Sequence, residues 1–217
     1  MVSRTAIFVV LITLAAGSTA LAQERTRDFN ATIPAAQLKS VVIDANVGNV
    51  RLTGGAGETA RIDLHLKATS NFSLWSGREW GDVYGVELQT EVRGDELRIS
   101  LQGEHKNLSE DWTITVPARL AARVRANVGE IDVYGVTGGC HAEVNVGDLR
   151  IDVPEGNVRA TASVGDVRVT TGTKSFGNVD VETNVGDSRL TVEGHPVEND
   201  GRRYGPGERV RFSGPGK

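Results

Sequence analysis

The chain has 217 residues, with 24 Lys and Arg against 28 Asp and Glu, a net charge of −4, 39% hydrophobic residues and only 5% aromatic ones. That mild acidity excludes a general nucleic-acid binder, which needs a basic footprint. A single cysteine, Cys140, excludes a disulfide framework, so packing and backbone hydrogen bonds must hold the fold.

The N-terminus reads as an export signal. Arg4 supplies a positive charge, Ala6 to Ala16 are apolar but for Thr13, and Ala20-Leu21-Ala22 is a small-x-small cleavage pattern. The apolar run is shorter than the ~20 residues of a membrane span, and no second long run follows. The expected organisation is a cleaved signal at 1–22, a lead-in at 23–37, one β domain at 38–197, and a polar Gly/Pro/Arg-rich tail or last partial coil at 198–217. The mature chain is expected to carry no transmembrane anchor and to be periplasmic, secreted or at the cell surface.

The first strand phrase, Val41, Ile43, Ala45 and Val47, alternates until Gly48-Asn49 and resumes at Val50 and Leu52. Less regular strands follow around Ile62-Leu64-Leu66, Val86-Leu88, Leu97-Ile99-Leu101 and Trp112-Ile114-Val116. Between the first two, residues 69–85 place Phe72, Trp75, Trp80 and Tyr84 among glycines, an aromatic loop breaking the pattern. From 127 onward a phrase recurs: Asn127-Val128-Gly129-Glu130, Asn145-Val146-Gly147-Asp148, Ser163-Val164-Gly165-Asp166 and Asn184-Val185-Gly186-Asp187, spaced 18, 18 and 21 residues. Arg209 to Phe212 offers one further strand.

A fixed period of this length marks one supersecondary unit stacked on itself. Cys140, Ala142, Val144 and Val146 are expected inward; the alternation slips at Gly147-Asp148 and resumes with Leu149, Ile151 and Val153. A one-residue slip would turn every later side chain to the wrong face of a straight strand, so the chain must bend at each glycine. The predicted fold is all-β, a single-stranded β-solenoid of about 18-residue coils, narrow or two-sided. In that arrangement Val146→Asp would bury a charge and break the ladder. Cys140 falls inward as an inert thiol. An up-and-down sandwich would not require near-identical phrases at identical spacing.

Stacking by 18 aligns Arg150, Arg168 and Arg189 in one outward column and Asp148, Asp166 and Asp187 in another, with the asparagines as an amide ladder. Outward charges of both signs keep a sheet soluble; an arginine stripe can also hold carboxylates or phosphates. Trp75 and Trp80 are candidates to stack on sugar rings or to cover an end of the core. The four histidines show no metal-ligand spacing, and the calcium-roll phrase lacks its glycine doublet. No nucleophile elbow or P-loop occurs, so no catalytic residue, metal or cofactor is expected.

The run Asp111-Trp112-Thr113-Ile114-Thr115-Val116-Pro117, through Val124 to Asn127-Val128-Gly129-Glu130-Ile131-Asp132-Val133, resembles the bacterial putative-adhesin family, a domain of unknown function. The resemblance spans about 38 to 193. It implies an exported or cell-surface β-solenoid and carries no established catalytic residues. The expected function is a non-enzymatic, adhesin-like envelope module binding a glycan, surface polymer or protein through Arg150, Arg168, Arg189, Trp75 or Trp80. The alternatives are a self-assembling envelope protein and a polysaccharide-degrading enzyme.

Overall fold

A computed structural model describes residues 25–73, 77–172, 176–197 and 207–213; the expected export signal at 1–22 lies outside them. The described chain is all-β. Its strands are β1 (Thr26–Pro34), β2 (Ser40–Asp44), β3 (Gly48–Gly55), β4 (Thr59–Ala68), β5 (Ser70–Ser73), β6 (Gly77–Trp80), β7 (Val86–Arg93), β8 (Glu96–Gly103), β9 (Leu108–Pro117) and β10 (Ala121–Val128). They continue with β11 (Ile131–Tyr134), β12 (Cys140–Val146), β13 (Leu149–Val153), β14 (Gly156–Val164), β15 (Val167–Thr171), β16 (Phe176–Val185), β17 (Ser188–Val192), β18 (His195–Pro196) and β19 (Glu208–Ser213).

Two large sheets hold most of them. The first runs β1-β4-β9-β3-β11-β13-β15-β17-β18 and the second β19-β16-β14-β12-β10-β2-β8-β7; β5 and β6 pair with each other. Each repeat unit gives one strand to each sheet, β10 then β11, β12 then β13, β14 then β15, β16 then β17. Equivalent strands pair in parallel at the period of the sequence. Ala122 lies beside Cys140, Cys140 beside Val158, and Val158 beside Val179. In the first sheet Ile131, Leu149, Val167 and Ser188 align likewise.

The sheets are mixed, which parallel coils alone would not give. At one end β1 pairs antiparallel with β4, β4 with β9, and β7 with β8. At the other, β18 and β19 run antiparallel to β17 and β16. Residues 208–213, expected in a tail or last partial coil, thus form a strand of opposite direction. Antiparallel strands return through short connections and cover edges that a parallel stack leaves open.

The spatial order also departs from the chain order. Val41 of β2 sits between Leu97 of β8 and Ala122 of β10, and Val50 of β3 between Trp112 of β9 and Ile131 of β11. The first unit therefore lies inside the stack, and the excursion from β4 to β9 supplies the layer beyond it.

Inward side chains of both sheets form one core of small residues near the repeats, with Trp112 and leucines in the β4–β9 excursion. Burying each valine contributes about 2 kcal/mol. The valine of Asn-Val-Gly does not belong to this core. Val128, Val146, Val164 and Val185 are 44–48% exposed, whereas Val144 is 1% exposed. The expected inward position of Val146 is corrected here: the chain begins to turn at Asn145, so the slip precedes the glycine. Val144→Asp is expected to cost about 3 kcal/mol or more by burying a charge. Val146→Asp should change stability by about 0.5 kcal/mol or less, as surface substitutions do. Urea unfolding of the two variants checks this.

Candidate functional site

Outward positions inherit the same register. On the first sheet Arg51, Asp132, Arg150, Arg168 and Arg189 lie side by side on β3, β11, β13, β15 and β17. Asp132 is 7% exposed under its neighbours; its carboxylate lies 3.4 Å from Arg51 and 3.8 Å from Arg150. Arg150 also pairs with Glu130. Arg150 is thus neutralised by acids of the preceding unit and not by Asp148. Arg168 and Arg189 are exposed, and neither forms an ion pair with any described residue.

The aspartate column is tied to the backbone. Asp148 Oδ1 accepts the amide of Asp166 at 2.9 Å, and Asp166 Oδ1 accepts the amide of Asp187 at 3.0 Å. Each carboxylate satisfies an N–H that the bend leaves free. The asparagines form a side-chain ladder: Asn145 Nδ2 donates to Asn127 Oδ1 at 3.0 Å, and Asn127 Nδ2 donates to Asn46 Oδ1 at 2.7 Å. The corner residues are therefore engaged in holding unit to unit.

The segment expected as an aromatic loop at 69–85 contains an antiparallel strand pair, β5 with β6. Its base is fixed to the turn before β9. Thr69 N–H donates to the Asn107 carbonyl at 2.8 Å, and Lys106 Nζ pairs with Glu79 at 2.9 Å. Trp75 lies outside the described residues. Trp80 is half-buried, and the Arg25 guanidinium stands 3.6 Å from its ring centroid. A cation so placed stabilises the ring and covers one of the faces on which a sugar could stack.

The second sheet carries a column that escaped the sequence reading. Arg123 of β10, His141 of β12 and Arg159 of β14 are consecutive neighbours across the strands. The next column is balanced: Arg125 lies 4.0 Å from Asp44 and 3.5 Å from Glu143. Neither Arg123 nor Arg159 has an ion partner among the described residues. Burial, with Arg123 and Arg159 beside it, holds the His141 imidazole below its ordinary pKa. The signal was the same 18-residue spacing applied to the other strand of each unit.

One further polar cluster lies at the corner of the β8–β9 layer. Glu110 is 1% exposed; it accepts hydrogen bonds from Asn46 N–H at 3.2 Å and Trp112 Nε1 at 3.0 Å, and contacts His105 Nδ1 at 3.0 Å. Cys140 is buried, its thiol pushed up to about 12 by desolvation, which makes it a poor nucleophile. Among the described residues no group of three or more His, Cys, Asp or Glu could hold a metal ion.

Fold and surface together define an all-β, two-sheet stack with a repetitive charged exterior. No family model matches the chain, and no curated protein matches it. Among solved structures, a putative cell adhesion protein from Clostridium sporogenes superposes with a TM-score of 0.42 at 11% identity, covering 77% of this chain and 94% of that one. A putative adhesin from Parabacteroides distasonis superposes with a TM-score of 0.26 at 10% identity, covering 76% and 79%. Superpositions this low assign no family and no function.

Proposed function

We propose that the chain is a non-enzymatic, exported, adhesin-like binding module of the cell envelope, whose repeat units form a narrow two-sided β-solenoid presenting ligand-binding columns. The observation that carries this reading is the pair Arg168 and Arg189, adjacent in register, exposed and without an ionic partner among the described residues. Bidentate contacts from such arginines suit the carboxylates or phosphates of a surface glycan or polymer. Catalysis has less support. Two of the three aspartates that would serve a polysaccharide-degrading enzyme accept backbone amides of the next unit. End-to-end assembly is disfavoured by the antiparallel strands that flank the parallel units at both ends. Among the described residues no helix is long and apolar enough to cross a membrane.

The test is retention of native envelope glycan by wild type and by the Arg168→Gln/Arg189→Gln variant. The variant is expected to bind about tenfold more weakly, as loss of two exposed charge contacts implies. Its unfolding midpoint should be unchanged, because neither side chain is packed. Equal retention by both proteins would remove the first sheet from the binding surface.

A further inference from the structure

The second sheet carries an independent set of arginines unpaired among the described residues. Arg123, His141 and Arg159 stand on three adjacent parallel strands, about 4.8 Å from one to the next. Their line runs across the strands, along the direction in which the units stack. On the first sheet the aspartates flank Arg168 and Arg189. Beside the second-sheet column Glu143 is drawn to Arg125, and Thr161 is uncharged. Asp180, the next residue in the line, is taken by Arg209, which holds it through two bonds of 2.6 and 2.9 Å. Balanced pairs therefore border Arg123 and Arg159, two arginines without an ionic partner among the described residues, with His141 between them.

We propose that this face binds a linear carboxylated polysaccharide, laid across the strands with the carboxylates of one side of the polymer over Arg123 and Arg159, on either side of His141. An open sheet face accepts an extended chain without a cleft, and in a twofold uronic-acid polymer the carboxylates of one side recur every second sugar, about the two strand spacings that separate Arg123 from Arg159. Arg123 and Arg159 supply planar forks that match carboxylates. A single-stranded nucleic acid fits poorly. The face has no aromatic residue among its described outward positions for bases to stack on, and the protein is acidic overall. The site lies on the sheet opposite Arg168 and Arg189 and does not depend on their role.

The middle position gives the site a pH response. His141 faces Arg123 and Arg125 of β10, Arg159 of β14 and Glu143 of its own strand, and its proton is disfavoured in the free protein. Carboxylates held over Arg123 and Arg159, on either side of the ring, favour the proton. The bound pKa then exceeds the free one, and affinity rises as pH falls through the interval between them. One linked proton limits the gain to about tenfold per pH unit.

The experiment is a titration of size-defined polygalacturonate against the whole protein at pH 7.5 and 5.5 and low salt, with neutral dextran and single-stranded DNA of equal charge as comparison ligands. Tighter binding of polygalacturonate at pH 5.5 is expected. Arg123→Gln/Arg159→Gln should weaken it about tenfold, and His141→Gln should flatten the pH response while leaving the pH 7.5 affinity nearly unchanged. Arg168→Gln/Arg189→Gln, titrated with the same polymer, separates the two sheets: loss confined to that variant, with Arg123→Gln/Arg159→Gln binding as wild type, overturns this proposal and leaves the first-sheet reading standing. No binding of polygalacturonate overturns the proposal. So do equal binding by Arg123→Gln/Arg159→Gln, DNA binding at least as tight, or a pH response that survives His141→Gln.

Discussion

Gly147→Ala is expected to destabilise the protein by about 3 kcal/mol or more, the range reached when strain and a backbone clash coincide. Gly147 has φ +138°, and a Cβ there would stand 1.8 Å from the carbonyl oxygen of Gly129. The neighbour is main chain and cannot rotate away, so the units would have to part. The same contact recurs at each corner. Gly129 faces the carbonyl of Gly48, Gly165 that of Gly147, and Gly186 that of Gly165. Glycine is thus required twice over, by its dihedral and by the backbone approach. Gly94→Ala is the control: φ is +65° and nothing lies within 4 Å of the added carbon, so only about 1 kcal/mol is at stake. Urea unfolding of the two variants separates the clash from left-handed strain alone.

Glu110→Ala is expected to cost about 3 kcal/mol, because two donors lose their acceptor in the interior. Asn46 N–H and the Trp112 indole both bond to Glu110 Oε2. Glu110→Gln should cost about 1 kcal/mol or less, since one amide oxygen can accept both bonds while its NH2 donates to His105 Nδ1. Thermal unfolding followed by circular dichroism distinguishes the two. Equal losses in both variants would show that the carboxylate charge, and not its acceptor geometry, matters at this corner.

What the sequence made legible was local and periodic. The Asn-Val-Gly phrase, its spacing and the alternation around it led to strands, bends and the column of Arg150, Arg168 and Arg189, read from offsets of 18 and 21 residues. Val146 was misplaced because alternation was extended up to the glycine, whereas the chain turns two residues earlier. The stacking of β8 and β9 beyond β2 and β3 was hidden. Val41 pairs with Leu97 and Val50 with Trp112, offsets that match no repeat. Glu110 left a fainter trace, since it lies in phase with Leu108, Trp112 and Ile114, all inward, where a carboxylate needs partners. Those partners, Asn46 and His105, come from another layer and a turn, so only the fold could supply them. The pairing of Arg150 with Glu130 and Asp132 was obscured for a related reason. The first regular unit carries Asp132 where later units carry arginine, which leaves Arg168 and Arg189 as the open members of the column.

The corner therefore holds units together, while Arg168 and Arg189 stand exposed and without an ionic partner among the described residues. One capture measurement addresses that division directly: native envelope glycan retained by wild type, by Arg168→Gln/Arg189→Gln, and by Val146→Ser/Val164→Ser, which alters the exposed valine ridge. Loss of retention in the arginine variant with full retention in the valine variant is the expected result. Loss in the valine variant with full retention in the arginine variant would contradict it, and would place the binding surface on the corner.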